Sequence, residues 1–135
     1  MVRGSFTHDR FHKDTLIADD VADNRYIYWL KDLHRENCLM AFLWDKRELA
    51  GFWGYTPGGA VVLNSFADNF RGRGLAKFFW TTGCRLLFDQ NIQTVLTSVS
   101  ASNLGVMNLC SSLGFSMKNA VDVYHLFKPL RGKKA

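Results

Sequence analysis

The stretch with the clearest chemical character is NFRGRGLAKFFW, residues 69–80. Arginine and glycine alternate from Arg71 to Gly74, and an apolar pattern at helical spacing begins directly after them. Glycine lets the backbone curl so that several N–H groups converge on one anion, and the first N–H groups of a helix have no internal partner. Arg71 and Arg73 add positive charge that pairs with phosphate oxygens. The stretch is compatible with a pyrophosphate-binding loop, and a solvated turn with a favourable helix cap explains it equally well.

The elements before this loop follow from the apolar pattern. Residues 19–36 predict a helix, and the continuous apolar run 38–44 is typical of a strand covered on both faces. The polar DKRE turn and residues 49–55 complete a hairpin, and residues 60–67 resume as a third strand after a Pro-Gly-Gly break. The loop is thus expected between a strand and a helix.

The elements after the loop complete the predicted fold. A helix is expected there, with its apolar stripe formed by Leu75, Phe78, Phe79, Thr82, Leu86 and Leu87. Residues 94–101 alternate as a strand, and Asn103 can cap a short helix that Gly114 ends. Residues 115–127 predict two short strands. The order α-β-β-β-α-β-α-β indicates an α/β (α+β) fold, a single sheet with helices on its faces.

Composition narrows the class of protein. The chain has 135 residues, 47% of them apolar, which suits one globular domain spanning residues 1–135. Its net charge of +5 comes mostly from residues 128–135, which hold four of the 17 basic residues and no acid and are expected to form a flexible basic tail. This distribution argues against nucleic-acid binding. No apolar run is long enough to cross a membrane, and the three separated cysteines and four histidines show no metal-ligand spacing, so we expect a cytoplasmic protein without a metal.

A second stretch, SASNLGVMNLCSSLGF at residues 100–115, combines with the loop into a recognisable pair. The pair resembles the GNAT superfamily of acyl-CoA N-acyltransferases. In the loop motif of that family, Q/R-x-x-G-x-G/A, the defined positions match Arg71, Gly74 and Ala76. The second family motif, N-x-x-A-x-x-L-Y-x-x-x-G-F, matches at Asn103, Leu109, Gly114 and Phe115. The resemblance runs from about residue 38 to residue 127 and implies a GNAT-like, mainly antiparallel mixed sheet.

A narrower resemblance covers residues 9–32, DRFHKDTLIADDVADNRYIYWLKD. This segment resembles the one that precedes the catalytic core of dTDP-fucosamine acetyltransferase and related amino-sugar N-acetyltransferases. The residues that carry it are Arg10, Phe11, His12, Asp14, Ala22, Asp23, Tyr26 and Trp29. The C-terminal YHLF, residues 124–127, is also similar to the end of those enzymes. An ordinary amphipathic helix with a polar cap is the alternative for any single residue.

The family resemblance implies direct transfer of an acetyl group from acetyl-CoA, as co-substrate, to a small-molecule amine. It implies that the pyrophosphate lies on the loop formed by Arg71, Gly72, Arg73, Gly74, Leu75 and Ala76. It further implies that Asn103 reaches the cofactor arm, and that the backbone N–H of Phe66 binds the cofactor and polarises the thioester carbonyl where the third strand splays from the next. Helix capping alone would explain Asn103 equally well.

Two departures from the family pattern leave alternatives open. GNAT domains usually begin with a strand that is missing or shortened here, so the chain is either a trimmed or compact member or completes its sheet otherwise, for example as a homodimer. Cys110 stands where the family commonly has a tyrosine general acid. We weigh Cys110 as a proton donor against a small buried apolar residue, and favour the latter. His125 is expected to be a satisfied core histidine. A peptide α-amine acetyltransferase and a catalytically degenerate CoA-binding module are the competing functions.

Overall fold

The computed structural model describes residues 4–128, which form one four-stranded sheet with three helices. The strands lie in the order β1-β2-β3-β4; the first three are antiparallel, and β4 runs parallel to β3. In chain order the elements are α1 (Asp19–Arg35), β1 (Leu39–Asp45), β2 (Glu48–Tyr55), β3 (Ala60–Phe66), α2 (Ala76–Asp89), β4 (Leu96–Thr97) and α3 (Leu104–Ser112), with a 3-10 turn at Asp68–Phe70. This confirms the predicted mixed, mainly antiparallel sheet.

Helices cover both faces of the sheet because neighbouring residues of a strand point to opposite sides. On one face, Phe52 of β2 packs in a cluster with Tyr26 and Leu33 of α1. On the other face, the adjacent Trp53 packs with Phe79, Trp80 and Leu87 of α2. These aromatic side chains are therefore buried, and the central strands β2 and β3 hold the two layers together.

Helix α2 approaches β2 most closely at Gly83. A Cβ atom at this position would lie 2.4–2.7 Å from three ring atoms of Trp53, closer than side chains can approach one another. The Trp53 ring is 1% exposed and meets Trp80 edge-on at 4.9 Å between centroids. The absence of a side chain at Gly83 thus sets the distance between α2 and the sheet, and with it the position of the loop before α2.

Two predictions of burial were wrong. Strand β1 was expected to be covered on both faces, yet Leu39, Phe42 and Trp44 are exposed. The reason is that β1 is the edge strand, while the two helices pack mainly over β2 and β3. On α2, Phe78, Thr82 and Leu86 were expected in the apolar stripe but are exposed, and the buried residues of this helix are Phe79, Trp80 and Leu87.

The part of the chain after α2 has less strand structure than predicted. Only Leu96–Thr97 of the predicted strand 94–101 pairs with β3, and residues 115–127 form no strand. No backbone–backbone hydrogen bond joins residues 116–128 to any other described residue, so these residues lack the pairing that strands require. Gly114 ends α3 as predicted, with φ of +82°. Among residues 4–18 there is likewise no strand before α1, and the predicted basic tail lies outside the described residues apart from Lys128.

Candidate functional site

The C-terminal end of β3 faces a gap in the sheet. Strand β4 pairs with β3 only at Ala60 and Val61, so residues 62–66 continue without a strand partner on this side within the described chain. The Thr97 hydroxyl donates to the Val61 carbonyl at 3.3 Å, at the point where the two strands part. We call the space beyond this point the β3–β4 gap.

The backbone donor predicted at Phe66 points toward this gap. Ala67 N–H donates to the Ala50 carbonyl at 2.9 Å, so this pair of residues is hydrogen-bonded across β2 and β3. Antiparallel pairs alternate between bonded and non-bonded types, and Phe66 is opposite Gly51 in the next, non-bonded pair. Its N–H group therefore points away from β2. By the same alternation Asn64 N–H also points to the gap, so this edge offers two backbone donors. The sequence analysis had predicted only the one at Phe66.

The loop that follows has the geometry expected of an anion-binding turn. Gly72 and Gly74 have φ of +67° and +71°, the left-handed region that favours glycine, and a Cβ atom at either position would meet open space. Helix α2 begins immediately afterwards with Leu75 as its N-cap, which supplies no side-chain hydrogen bond. The first N–H groups of α2 thus have no intrahelical partner.

The charge around the start of α2 also favours an anion. Carboxylates stabilise the first turn of a helix and cations oppose its dipole. The first turn of α2 contains no acid, whereas Lys77 lies in it and Arg73 precedes it. Arg73 lies with its guanidinium carbon 5.3 Å from the centre of the Phe70 ring. This concentration of positive charge at a positive helix end is repulsive by itself, and a bound anion would offset the repulsion.

Arg71 makes several contacts within the protein. Its Nε and Nη2 atoms donate to the carbonyl oxygen of Phe66, its Nη1 lies 3.1 Å from the Asp68 carboxylate, and Nη2 also contacts the Ser5 hydroxyl. Arg71 therefore ties the loop to the end of β3 and to the segment that precedes α1. Its binding to a phosphate remains a prediction.

Asn103 and Cys110 both have structural roles in α3. The Asn103 side-chain oxygen accepts from Val106 N–H at 3.2 Å, so the predicted cap is present. Cys110 is buried, and burial raises the pKa of its thiol. Burial also raises the pKa of the Cys84 thiol, and the charge of a neighbouring Cys110 thiolate raises it further. The burial of Cys110 agrees with a packing role, and proton donation by Cys110 stays a prediction.

The residues that precede α1, here called the N-terminal segment (residues 4–17), cross the mouth of the β3–β4 gap. Ser5 contacts Arg71 on the β3 side, and the Ser102 hydroxyl donates to the His8 carbonyl at 2.9 Å on the α3 side. Phe6 stacks on Tyr26 of α1 with 4.3 Å between ring centroids. The segment therefore joins both sides of the gap and is anchored on the α1 face of the sheet.

This segment brings together two histidine–aspartate pairs that the sequence analysis did not identify. His12 Nδ1 lies 2.5 Å from Asp9 Oδ2, and His125 Nδ1 lies 2.7 Å from Asp14 Oδ2. The first pair has a three-residue spacing that could have indicated it, but the second spans 111 residues and has no local pattern. His125 was predicted to be a core histidine with its polar atoms hydrogen-bonded. Its Nδ1 has a partner in Asp14, whereas its Nε2 is buried without a partner among the described residues.

A cavity of about 540 Å³ lies elsewhere, between the C-terminal half of α2, β4 and the end of α3. Its walls include Cys84, Phe88, Val95 and Phe115, with Arg85 and Lys118 as the charged residues. None of the loop residues 71–76 lines it. We therefore place the candidate site at the β3–β4 gap, where backbone donors and the α2 N-terminus converge, and not at this cavity.

Comparison with known proteins identifies the family of the chain. The family model described as the acetyltransferase (GNAT) family matches residues 6–115, and the chain belongs to this family. It is therefore an acyl-CoA N-acetyltransferase, and acetyl-CoA is the co-substrate of the family. No curated protein sequence matches the chain significantly.

The fold is also similar to a solved acetyltransferase structure. The apo crystal structure of an aminoglycoside 6'-N-acetyltransferase from Acinetobacter haemolyticus superposes with a TM-score of 0.54, covering 78% of this chain and 81% of that one at 15% identity. Such a likeness shows the shared fold. Within residues 4–128, no helix is long and apolar enough to cross a membrane, and no cluster of three or more His, Cys, Asp or Glu side chains is arranged to hold a metal ion.

Proposed function

We propose that this protein transfers the acetyl group of acetyl-CoA to the primary amine of a small molecule, and that the acceptor is an amino sugar. The observation that carries the proposal is the β3–β4 gap, into which Phe66 and Asn64 direct their N–H groups next to the open N-terminus of α2. Family membership supports the reaction class, and the acceptor class is our own inference.

The residues of the gap fit the parts of acetyl-CoA. The loop 71–76, with two left-handed glycines and an uncapped helix start, offers backbone donors for a pyrophosphate. In this proposal, Phe66 N–H donates a hydrogen bond to the thioester carbonyl oxygen as negative charge develops there. Asn103, at the far side of the gap, is a candidate contact for the pantetheine arm. Acetyl-CoA supplies the activated acyl group, and the chain supplies its orientation.

Direct attack by the amine suits this site better than a covalent enzyme intermediate. A cysteine nucleophile acts as the thiolate, and burial of Cys110 disfavours that form. The protein must then provide a neutral amine, because a primary amine is protonated at neutral pH. A group that removes a proton from the acceptor is therefore required near the gap.

Two likenesses support the choice of an amino-sugar acceptor. Charge alone does not select the acceptor, because Asp9 and Asp14 of the N-terminal segment are balanced by Arg10 and Lys13 and are paired with His12 and His125. The solved structure of similar fold is an aminoglycoside acetyltransferase, whose named substrate class carries several amines. The resemblance of residues 9–32 to amino-sugar acetyltransferases motivates the same choice.

Isothermal titration with acetyl-CoA, followed by a thiol-release assay, tests the proposal. The assay compares an aminoglycoside, a nucleotide-linked amino sugar and a short peptide with a free N-terminus. Gly74→Val should weaken acetyl-CoA binding by about tenfold or more, since its φ of +71° is strained for valine and its side chain would occupy the open space where we propose that the pyrophosphate binds. Gly114→Val is the matched control, because Gly114 has a similar φ of +82° and open space but lies at the end of α3.

The outcomes separate the alternatives. Binding and turnover of the sugar amines support the proposal, and turnover of the peptide alone would replace it with a peptide acetyltransferase. Binding without turnover of any amine would indicate a degenerate CoA-binding module. Equal weakening of binding in Gly74→Val and Gly114→Val would show that the loop is not the pyrophosphate site.

A further inference from the structure

The N-terminal segment contacts two histidines, His12 and His125, which differ in whether the Nε2 atom has a partner. His12 has Asp9 at Nδ1 and Asp23 at Nε2, so both nitrogens face carboxylates. His125 has Asp14 at Nδ1, while its Nε2 is buried with no partner among the described residues. Buried polar atoms are nearly always hydrogen-bonded, and exceptions occur at catalytic positions. The second nitrogen of His125 is therefore the one that a substrate can engage.

The contact with Asp14 determines which nitrogen of His125 carries the proton. A carboxylate 2.7 Å from Nδ1 accepts a hydrogen bond, so the neutral ring holds its proton on Nδ1 and leaves the lone pair on Nε2. Asp14 is itself fixed, because its other oxygen accepts from Leu16 N–H at 3.0 Å. That hydrogen bond and the one from His125 lower the pKa of Asp14, which keeps it ionised as an acceptor. Such an arrangement is that of a histidine oriented to act as a base.

The surroundings of the ring hold it in place. Phe11 stacks on His125 with 5.3 Å between centroids, and Phe127 meets it edge-on at 6.3 Å. The charged groups next to this stack are Asp14, which contacts the ring, and the guanidinium groups of Arg10 and Arg25, at 4.9 and 5.7 Å from the Phe11 centroid.

The geometry points to His125 as the general base of the acetyl transfer, with Asp14 as its positioning residue. This inference rests on the proposed function. One proton of the acceptor ammonium group passes to His125 Nε2, and the neutral amine forms the new C–N bond as the C–S bond of the thioester breaks. A second proton leaves the amine nitrogen and the departing thiolate takes it up, so that the products are an amide, a free thiol and a protonated His125. Because Nε2 is buried, the inference requires that the acceptor reach this nitrogen by a local opening that leaves the contact between His125 and Asp14 intact.

Two variants test His125 as the base through the pH dependence of kcat/KM, which a purely structural role of this residue would not change. In His125→Gln, kcat/KM for the best acceptor among the three amines should fall by about 100-fold at neutral pH, the usual size for a lost general base. The deficit should narrow as the pH approaches about 10, where amines lose their proton to water. Asp14→Asn should give a smaller loss with the same pH trend. His34→Gln, which replaces an exposed histidine of α1, should behave as the parent.

Nuclear magnetic resonance on the uniformly ¹⁵N-labelled protein gives a measurement that needs no acceptor. Long-range ¹H–¹⁵N correlations should show neutral His125 protonated on Nδ1, and Asp14→Asn should change this ring's spectrum while leaving His34 unchanged. A proton on Nε2 of the neutral ring would overturn the inference, as would a pH-independent loss in His125→Gln.

The same experiments distinguish failure of the base from failure of the proposed function. If the parent binds acetyl-CoA and acetylates an amine, and a folded His125→Gln does so equally well, the base assignment is wrong and the function stands. If the parent acetylates none of the three amines, the proposed function fails and the base assignment fails with it.

Discussion

The guanidinium group of Arg71 donates to the carbonyl oxygen of Phe66 from Nε at 3.2 Å and from Nη2 at 3.1 Å. Arg71 belongs to the glycine-rich loop, and Phe66 ends β3 and directs its N–H group into the β3–β4 gap. The pair therefore links the proposed pyrophosphate loop to the proposed thioester donor and keeps the two at a constant separation.

Arg71→Lys should weaken acetyl-CoA binding about tenfold, equivalent to about 1.4 kcal/mol, because a single ammonium group cannot reproduce the two-nitrogen contact. The stability of the protein should change by less than about 1 kcal/mol, since the Arg71 side chain is 36% exposed and its ion pair is screened by water. Calorimetry and urea unfolding measure the two quantities. Arg35→Lys, at an exposed ion pair of α1, is the control. Unchanged affinity in Arg71→Lys would show that the link does not support the cofactor site.

Cys110→Ala should retain kcat within a few-fold, because the buried thiol lies beside Cys84 and serves packing. The substitution should instead lower the free energy of unfolding by about 1–2 kcal/mol, a common size for a buried position. Cys84→Ala removes the neighbouring thiol and should have a similar profile. A loss of kcat of about 100-fold or more in a folded Cys110→Ala protein with intact acetyl-CoA affinity would identify Cys110 as the proton donor after all.

Gly83→Ala should destabilise the protein by about 1–3 kcal/mol, because the new methyl group would overlap the Trp53 ring. This cost outweighs the gain of up to about 1 kcal/mol that alanine brings to a helix. Gly105→Ala in α3 is the matched control, since its nearest neighbour is 3.8 Å away, and it should be neutral or stabilising. Thermal unfolding of both variants measures this difference in stability. Equal melting temperatures would mean that α2 can move away from the sheet at little cost in stability.

Tyr26→Phe should make stability less dependent on alkaline pH. Burial, and secondarily the negative charge of Asp9, raise the pKa of Tyr26 above its ordinary value of 10.0. In the unfolded chain this phenol loses its proton from about pH 10, whereas the folded protein keeps it. The contribution of Tyr26 is therefore complete below pH 10 and decreases as the pH rises further.

Urea unfolding between pH 8 and 11 measures this effect. Tyr28→Phe is the control, because Tyr28 is exposed and lies on the same helix. Parallel pH curves for the parent and both variants would contradict the assignment to Tyr26.

Features decided by neighbouring residues could be predicted from the sequence. The glycine-rich loop before α2, the Asn103 cap and the stop at Gly114 all appear where predicted, because capping and left-handed turns depend on a few adjacent residues. The β1–β2 hairpin and α1 follow for the same reason, since a short turn and an apolar period are local patterns. The two motifs that carry the family resemblance lie in these local features.

The tertiary structure decided which surfaces are covered and which distant side chains meet. Leu39, Phe42 and Trp44 are apolar enough for a core, yet the place of β1 at the sheet edge leaves them exposed. His125 and Asp14 are 111 residues apart, and their pairing depends on how the N-terminal segment crosses the gap. The sequence by itself determined the family motifs and the elements that hold them, because these rest on local backbone preferences. Partners, burial and the direction of the Phe66 N–H group required the fold, because they depend on sheet register and on packing between elements far apart in the chain.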